Sequence, residues 1–306
     1  MSIYLTFLGT SAAVPTNERS LPAVLLSFGN EQFLFDCGEG VQRQIIKAKT
    51  GLHKPIKIFI THLHGDHVLG LPGLLQTMAL LDRQRSVDVY GPVGVAKYFS
   101  CLRETLQFNL TFQVNIFEIQ KPGIICDEKQ YFFEAQNNNH TVNGFSYAFI
   151  EKPRPGRFDT KKAIEFGVPQ GPAWSQLHNG QDYTLPNGKI VKSNDVTGPK
   201  RKGRKIVYSG DTKPSEAFIE LASQSDIIIH EATFDDDLIE KANLDGHSTP
   251  SQAALQAKKA KAKQLILTHI SARYTDDSSL LTQAQKIFPN TQVAKDFLVI
   301  ALELKE

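Results

Sequence analysis

Residues 60–67 read Ile60-Thr61-His62-Leu63-His64-Gly65-Asp66-His67, and this stretch decides the fold. Residues 56–60 lead into it as a short apolar-rich run of the kind that forms a buried strand. Residues 68–81 follow as a helix start and a helix. Three histidines and an aspartate therefore stand where the chain leaves a strand. His62 and His64 are two apart, so extended backbone projects both to one side. Asp66 and His67 are expected at a tight turn allowed by Gly65. Neutral imidazole nitrogen and carboxylate oxygen are the donor set of zinc or a similar divalent ion. Four such groups within six residues make a metal site a better reading than a solvated polar turn. One ion needs three protein ligands plus water; the chain offers more, which suggests two ions sharing ligands, with the remaining donors at other strand ends.

Composition sets the outer bounds. A chain of 306 residues with 41% hydrophobic and 22% charged residues can bury a substantial core as a globular α/β protein. No apolar run approaches the ~18–20 residues that span a membrane. The first ten residues read as a strand, without the basic and apolar regions of a signal peptide. Cys37, Cys101 and Cys126 are odd in number and lack close pairing, as expected of reduced thiols in a cytoplasmic protein.

The missing donors appear in chain order. Residues 32–35 end in Asp36, a carboxylate suited to holding a ligating histidine in one tautomer. His140 follows three asparagines between two strands. The strand at residues 205–208 runs into Ser209-Gly210-Asp211-Thr212, and a carboxylate at Asp211 could bridge two ions. The strand at residues 226–230 leads into His230-Glu231-Ala232-Thr233. Gly246-His247-Ser248-Thr249 precedes a helix, and the strand at residues 264–268 ends in His269. The pattern is two β-rich halves, each followed by helices: an αββα sandwich with the metals at one sheet edge.

Residues 152–203 differ in character. They carry ten Lys and Arg against four Asp and Glu, a net of +6 in a chain whose total is +2, so the remainder is net acidic. We read residues 1–306 as a single domain with 152–203 inserted as a protruding basic arm. Its length exceeds an ordinary loop, and its charge suits a polyanion such as folded RNA. Phe158, Ile164, Phe166, Val168, Trp174 and Leu177 are expected to pack it.

The motifs F-D-C-G-E-G, T-H-L-H-G-D-H, S-G-D-T and L-T-H-I-S-A-R resemble the metallo-β-lactamase fold. H-E-A-T, H-S-T and the basic insertion with Gly171-Pro172 resemble ribonuclease Z, the short form of the tRNA 3′-processing endoribonuclease, over nearly the whole chain. The resemblance implies two Zn²⁺ per subunit, with manganese or cobalt also fitting the ligands. One would sit on His62, His64, His140 and Asp211, the other on Asp66, His67, His269 and again Asp211. It implies that Asp66 accepts the proton of the attacking water, and that His247, raised in pKa by Glu231, serves the leaving oxygen. It further implies a cut after the discriminator nucleotide that leaves a tRNA 3′-OH and a 5′-phosphate on the trailer. It also implies a homodimer in which one subunit's arm presents tRNA to the other's site. Arg19, Lys161, Lys162, Gly171, Pro172 and Arg273 are the expected substrate contacts.

The chain departs from the family at one place. Where P-x-K-x-R-N is common, it has Pro15-Thr16-Asn17-Glu18-Arg19-Ser20, without the lysine and final asparagine. Two rivals stand beside the nuclease reading. A small-molecule phosphodiesterase or lactonase on the same fold would not need the arm or the H-E-A-T/H-S-T pair. A nonenzymatic RNA-binding protein would not need a complete ligand set.

Overall fold

In a computed structural model that describes residues 2–304, the strand Glu31–Phe35 turns Phe33 and Phe35 to one face and Leu34 to the other, as a two-residue period dictates. Each face builds a core. In chain order the strands are β1 (Ile3–Gly9), β2 (Ser11–Ala12), β3 (Ala23–Phe28), β4 (Glu31–Phe35), β5 (Ile56–Phe59), β6 (Val87–Pro92) and β7 (Val114–Ile119). They continue as β8 (Gly123–Asp127), β9 (Tyr131–Asn137), β10 (Phe145–Glu151), β11 (Tyr183–Thr184) and β12 (Ile190–Val191). The last are β13 (Lys205–Tyr208), β14 (Ile227–Glu231), β15 (Gln264–Thr268), β16 (Ile270–Ser271), β17 (Thr291–Val293) and β18 (Val299–Leu302).

One sheet has the order β18-β1-β3-β4-β5-β6-β7 and the other β17-β15-β14-β13-β10-β9-β8. Aromatic rings fill the space between them. Phe59 lies 4.1 Å from Phe133, Phe33 5.0 Å from Phe133, and Phe35 5.4 Å from Tyr208, centroid to centroid. On the outer face of the first sheet, Leu34, Ile58 and Val89 pack with Ile45, Leu74, Leu75 and Phe99 from helices Val41–Lys47, Gly70–Leu80 and Val95–Leu106. Helices Glu216–Ala222 and Pro250–Lys259 cover the second sheet, where Phe218 meets His230 edge-on. Helix, sheet, sheet and helix make the αββα sandwich read from the motifs.

Strands β4 to β7 run parallel, as do β13, β14, β15 and β17. The carboxyl ends of parallel strands are where open α/β sheets hold ligands. Asp36, Thr61, Asp211, Thr233 and His269 all follow such ends.

Two local expectations change. Gly65 is not a left-handed turn residue: it opens a four-residue helix, Gly65–Val68, so Asp66 and His67 sit in a helical turn. The amide of Leu69 closes that turn on Gly65 O at 2.9 Å, which a glycine in right-handed backbone permits as readily as any residue. The helix Gly70–Leu80 then begins separately.

Residues 128–132 and 150–204 form a second compact unit, the remainder of the chain the first. The second unit has its own small core of Ala163, Val168, Ala173, Leu177, Leu185, Val191 and Val196, flanked by Phe158, Phe166 and Trp174. Ile164 is not part of it. It is 58% exposed, because the helix Thr160–Glu165 turns the neighbouring Ala163 inward. Where the segment closes, Arg204 donates to Glu151 Oε2 from Nε (2.8 Å) and to Oε1 from Nη2 (3.0 Å), both side chains being buried.

Candidate metal centre

Three overlapping groups of donors converge in the first unit, each offering atoms within 4.8 Å of one another: His62, His64, His140 and Asp211; Asp66, His67 and His269; and Asp211, His247 and His269, of which the first two are the expected ligand sets. Asp211 links them: its Oδ2 is 3.7 Å from His62 Nε2 and 3.3 Å from His67 Nε2, while Oδ1 is 3.4 Å from His269 Nε2. Gly210 makes that placement possible, since its φ is +59° and an added Cβ would come within 2.8 Å of Thr61.

The histidine tautomers follow from their outer partners. His67 Nδ1 donates to Asp36 Oδ2 at 2.7 Å and His140 Nδ1 to Gly246 O at 2.7 Å. Thr61 gives its hydroxyl proton to Asp36 at 2.9 Å, so its oxygen accepts from His62 Nδ1 at 3.0 Å. The same logic holds at Thr233, whose hydroxyl donates to Glu231 Oε2 at 2.7 Å and accepts from His269 Nδ1 at 2.8 Å. In their neutral form, the rings of His62, His67, His140 and His269 therefore turn an unprotonated Nε2 inward. His62 Nε2 and His140 Nε2 stand 3.0 and 3.2 Å from His64 Nδ1. His64 Nδ1 has at most one proton to share between them, so lone pairs remain facing inward for a cation. Asp211 Oδ1, buried without a hydrogen-bond partner, has the same need. The donor set fits divalent metal ions.

Burial and neighbouring charge shift these groups in opposite directions. Burial drives His62 below the ordinary imidazole range, with His67 adding to the effect. Burial would also lower His67, but the carboxylates of Asp211 and Asp36 outweigh it and raise it. For Asp66, burial opposes ionisation, yet the hydrogen bond from His269 and the charge of His67 pull it well below the usual carboxylate range. Asp211 is also held low, where His269 and His67 overcome its burial.

Beside the metal groups lies the pair Glu231–His247. Glu231 Oε1 accepts from His247 Nδ1 at 2.9 Å and from the amide of Thr212 at 2.9 Å. Burial works against the charge on His247, but Glu231 prevails and raises it to about 9. His230, in the same tetrapeptide, points elsewhere: buried against Phe218, it donates to Glu231 O at 2.7 Å and meets Gln256 Nε2 at 2.8 Å.

The structure does not bring all expected contacts into this cluster. Arg273 is exposed and near it, its guanidinium 4.9 Å over the ring of Phe234, which stands 5.8 Å from His247. Arg19 is 11% exposed at its side chain and bound to Asp277. Lys161 and Lys162 are exposed on helix Thr160–Glu165 of the second unit, beside a cleft of about 400 Å³ that also takes in Arg157. Gly171, at φ +109°, and Pro172 start the helix Pro172–His178 there. Sequence reasoning missed Thr61, Tyr208 and the amide of Ala13. Tyr208 gives its hydroxyl to Asp36 Oδ2 at 2.9 Å, and Ala13 N donates to Asp66 Oδ2 at 2.9 Å. Thr61 and Thr233 did lie inside quoted motifs, whereas a strand-end tyrosine and a loop amide carry no signal.

Comparison with known proteins agrees with the geometry. A family model described as the anti-Pycsar protein Apyc1 matches residues 3–154, and one described as a beta-lactamase superfamily domain matches residues 196–270. Fold and donor set together define a protein of the metallo-β-lactamase superfamily. Ribonuclease Z of Methanosarcina acetivorans is 42% identical over 299 residues, 97% of each chain. Ribonuclease Z of Listeria monocytogenes is 41% identical over 303 residues, covering 97% of this chain and 99% of the relative. The crystal structure of human tRNase Z, short form, superposes with a TM-score of 0.73 at 30% identity, covering 98% of this chain and 100% of that one. The chain belongs to the ribonuclease Z family of endoribonucleases.

Proposed function

We propose that the protein is a zinc-dependent endoribonuclease that removes the 3′ trailer from precursor tRNA. The cut falls after the discriminator nucleotide and leaves a 3′-OH on the tRNA. The observation that carries this is Asp211 facing both groups of imidazoles, with the buried Glu231 and the partly buried His247 beside them. The names of the relatives support the substrate, and the donor chemistry supports two Zn²⁺, with Mn²⁺ or Co²⁺ as substitutes.

His62, His64, His140 and Asp211 would hold one ion, and Asp66, His67, His269 and Asp211 the other. When bound, the ions supply Lewis-acid polarisation of the phosphate and an acidified water. The residues do the rest. Asp66 takes the proton of the attacking water, its carboxylate held ionised by His269 and His67. His247 stays protonated at neutral pH because of Glu231, and it neutralises or protonates the departing 3′-oxygen. Asp36 holds His67 and, through Thr61, His62. Arg273, fixed over Phe234, offers a planar guanidinium to a phosphate. The basic arm, with Lys161 and Lys162, grips the tRNA through its phosphates.

We also assign the protein to the cytoplasm and to a homodimer. In support of the dimer, helices Val41–Lys47 and Gly70–Leu80 pack together, and Ile46, Leu80, Leu69 and Leu81 on or beside them stay exposed. No helix among the described residues is long and apolar enough to cross a membrane. The test is incubation of zinc-loaded protein with a precursor tRNA bearing a 3′ trailer, followed by mapping of the cut and its end groups. Cleavage elsewhere, or none, ends this reading.

A further inference from the structure

Arg19, expected at a phosphate, is spent inside the protein. Its Nη1 donates to Thr10 Oγ1 at 2.7 Å and to Ala294 O at 2.6 Å, and its Nη2 meets Asp277 Oδ2 at 2.5 Å. Asp296, two residues beyond Ala294, accepts from Thr10 Oγ1 at 2.8 Å, from the amide of Ser20 at 2.7 Å and from Gln44 Nε2 at 3.0 Å. Both ends of the loop at residues 10–20 are thus tied to the C-terminal segment. Within the loop, Ser11 N reaches Ser20 O at 2.9 Å, and Ser11 Oγ donates to Val14 O at 2.6 Å.

The tied loop has two outputs, and both go to one metal group. Ala13 N donates to Asp66 Oδ2 at 2.9 Å. Ile270 N donates to Thr10 O at 2.9 Å, the first bond of the β2–β16 pair that follows His269 directly. Ala13 and His269 both sit at φ +56°, a left-handed conformation that residues with a side chain leave unless neighbours hold them. His62 takes its outer support from Thr61 and His140 from Gly246 instead.

We propose that Arg19, Asp277 and Asp296 form a latch that positions the Asp66–His67–His269 group through the loop at residues 10–20, leaving the His62–His64–His140 group independent of it. The proposal rests on the two-metal reading above. Arg19 is then a positioning residue, and the altered P-x-K-x-R-N element serves the metal centre from behind. Partners outside a ligand shell commonly change metal affinity by about 10- to 100-fold when removed.

The experiment compares wild type with Arg19→Ala, Asp277→Asn and Arg19→Lys. Zinc release to a chelator is followed in time, together with kcat, KM and the salt dependence of precursor tRNA cleavage. The expected result for the first two variants is one zinc released about 10- to 100-fold faster, with the other retained as in wild type. Turnover should fall with KM and salt slope unchanged, and Arg19→Lys should recover part of the retention. Unchanged release of both ions overturns the proposal, whatever the kinetics; a raised KM with a shallower salt slope would then mark Arg19 as a phosphate contact. Equal loss of both ions overturns it too. Should Arg19→Ala fail to fold, Asp277→Asn, nearly isosteric, carries the test. A wild-type protein that binds zinc but cuts no precursor tRNA would end the functional reading, and the release measurement would still judge the latch.

Discussion

Thr233 stands between Glu231 and His269: its hydroxyl proton goes to Glu231 Oε2 at 2.7 Å, and its oxygen receives His269 Nδ1 at 2.8 Å. One side chain therefore fixes both the carboxylate that charges His247 and the tautomer of a candidate metal ligand. Thr233→Val keeps the shape and removes both bonds. It should cost about 10- to 100-fold in metal affinity or activity, while Thr233→Ser should restore most of it. Calorimetric zinc titration of the three proteins checks this, and a valine variant with wild-type affinity refutes it.

The pH profile should carry the signature of His247. Its pKa lies at about 9, above the ordinary 6.5. The stability gained from pairing with Glu231 is therefore complete below 6.5 and fades as pH rises through about 9. Catalysis by the protonated ring should fail over the same upper range. Glu231→Gln removes the charge that raises His247, so the alkaline limb should shift toward neutrality. His247→Ala should abolish that limb and lower turnover by ~10²–10⁴-fold. Single-turnover rates between neutral and alkaline pH decide the matter; an unmoved limb in Glu231→Gln counts against the pair.

Asp211→Ala removes the carboxylate that both groups face. Bound zinc should drop for both groups together and cleavage should fall to background. Elemental analysis finding the wild-type zinc content in the variant would show that Asp211 is not shared.

Replacing residues 153–203 by a short linker should abolish cleavage of precursor tRNA and spare hydrolysis of a small phosphodiester. Wild-type affinity for tRNA should fall steeply as salt rises, because phosphate contacts release counterions. Parallel loss of both activities, or a flat salt profile, would deny the arm a separate grip.

The sandwich and the donor residues were legible because their signals are local. Short apolar strands ending in histidine or aspartate can be read one segment at a time. What lay hidden depends on distant chain segments meeting. Nothing near Arg19 says that Asp277 and Ala294 will claim its guanidinium. Nothing near Tyr208 announces Asp36, which lies 172 positions away. Ile164 was misjudged for a simpler reason: hydrophobicity alone does not say which face of a six-residue helix turns inward.

The Glu151–Arg204 clasp has a consequence for how this chain could have arisen. Glu151 N reaches Arg204 O at 2.9 Å, so the polypeptide leaves and returns at nearly the same point. A segment so pinched at its base can be exchanged as a cassette, lengthened or lost without redrawing the strand order around it. Substrate choice could then diverge among descendants through that one splice point while the hydrolytic chemistry was inherited intact.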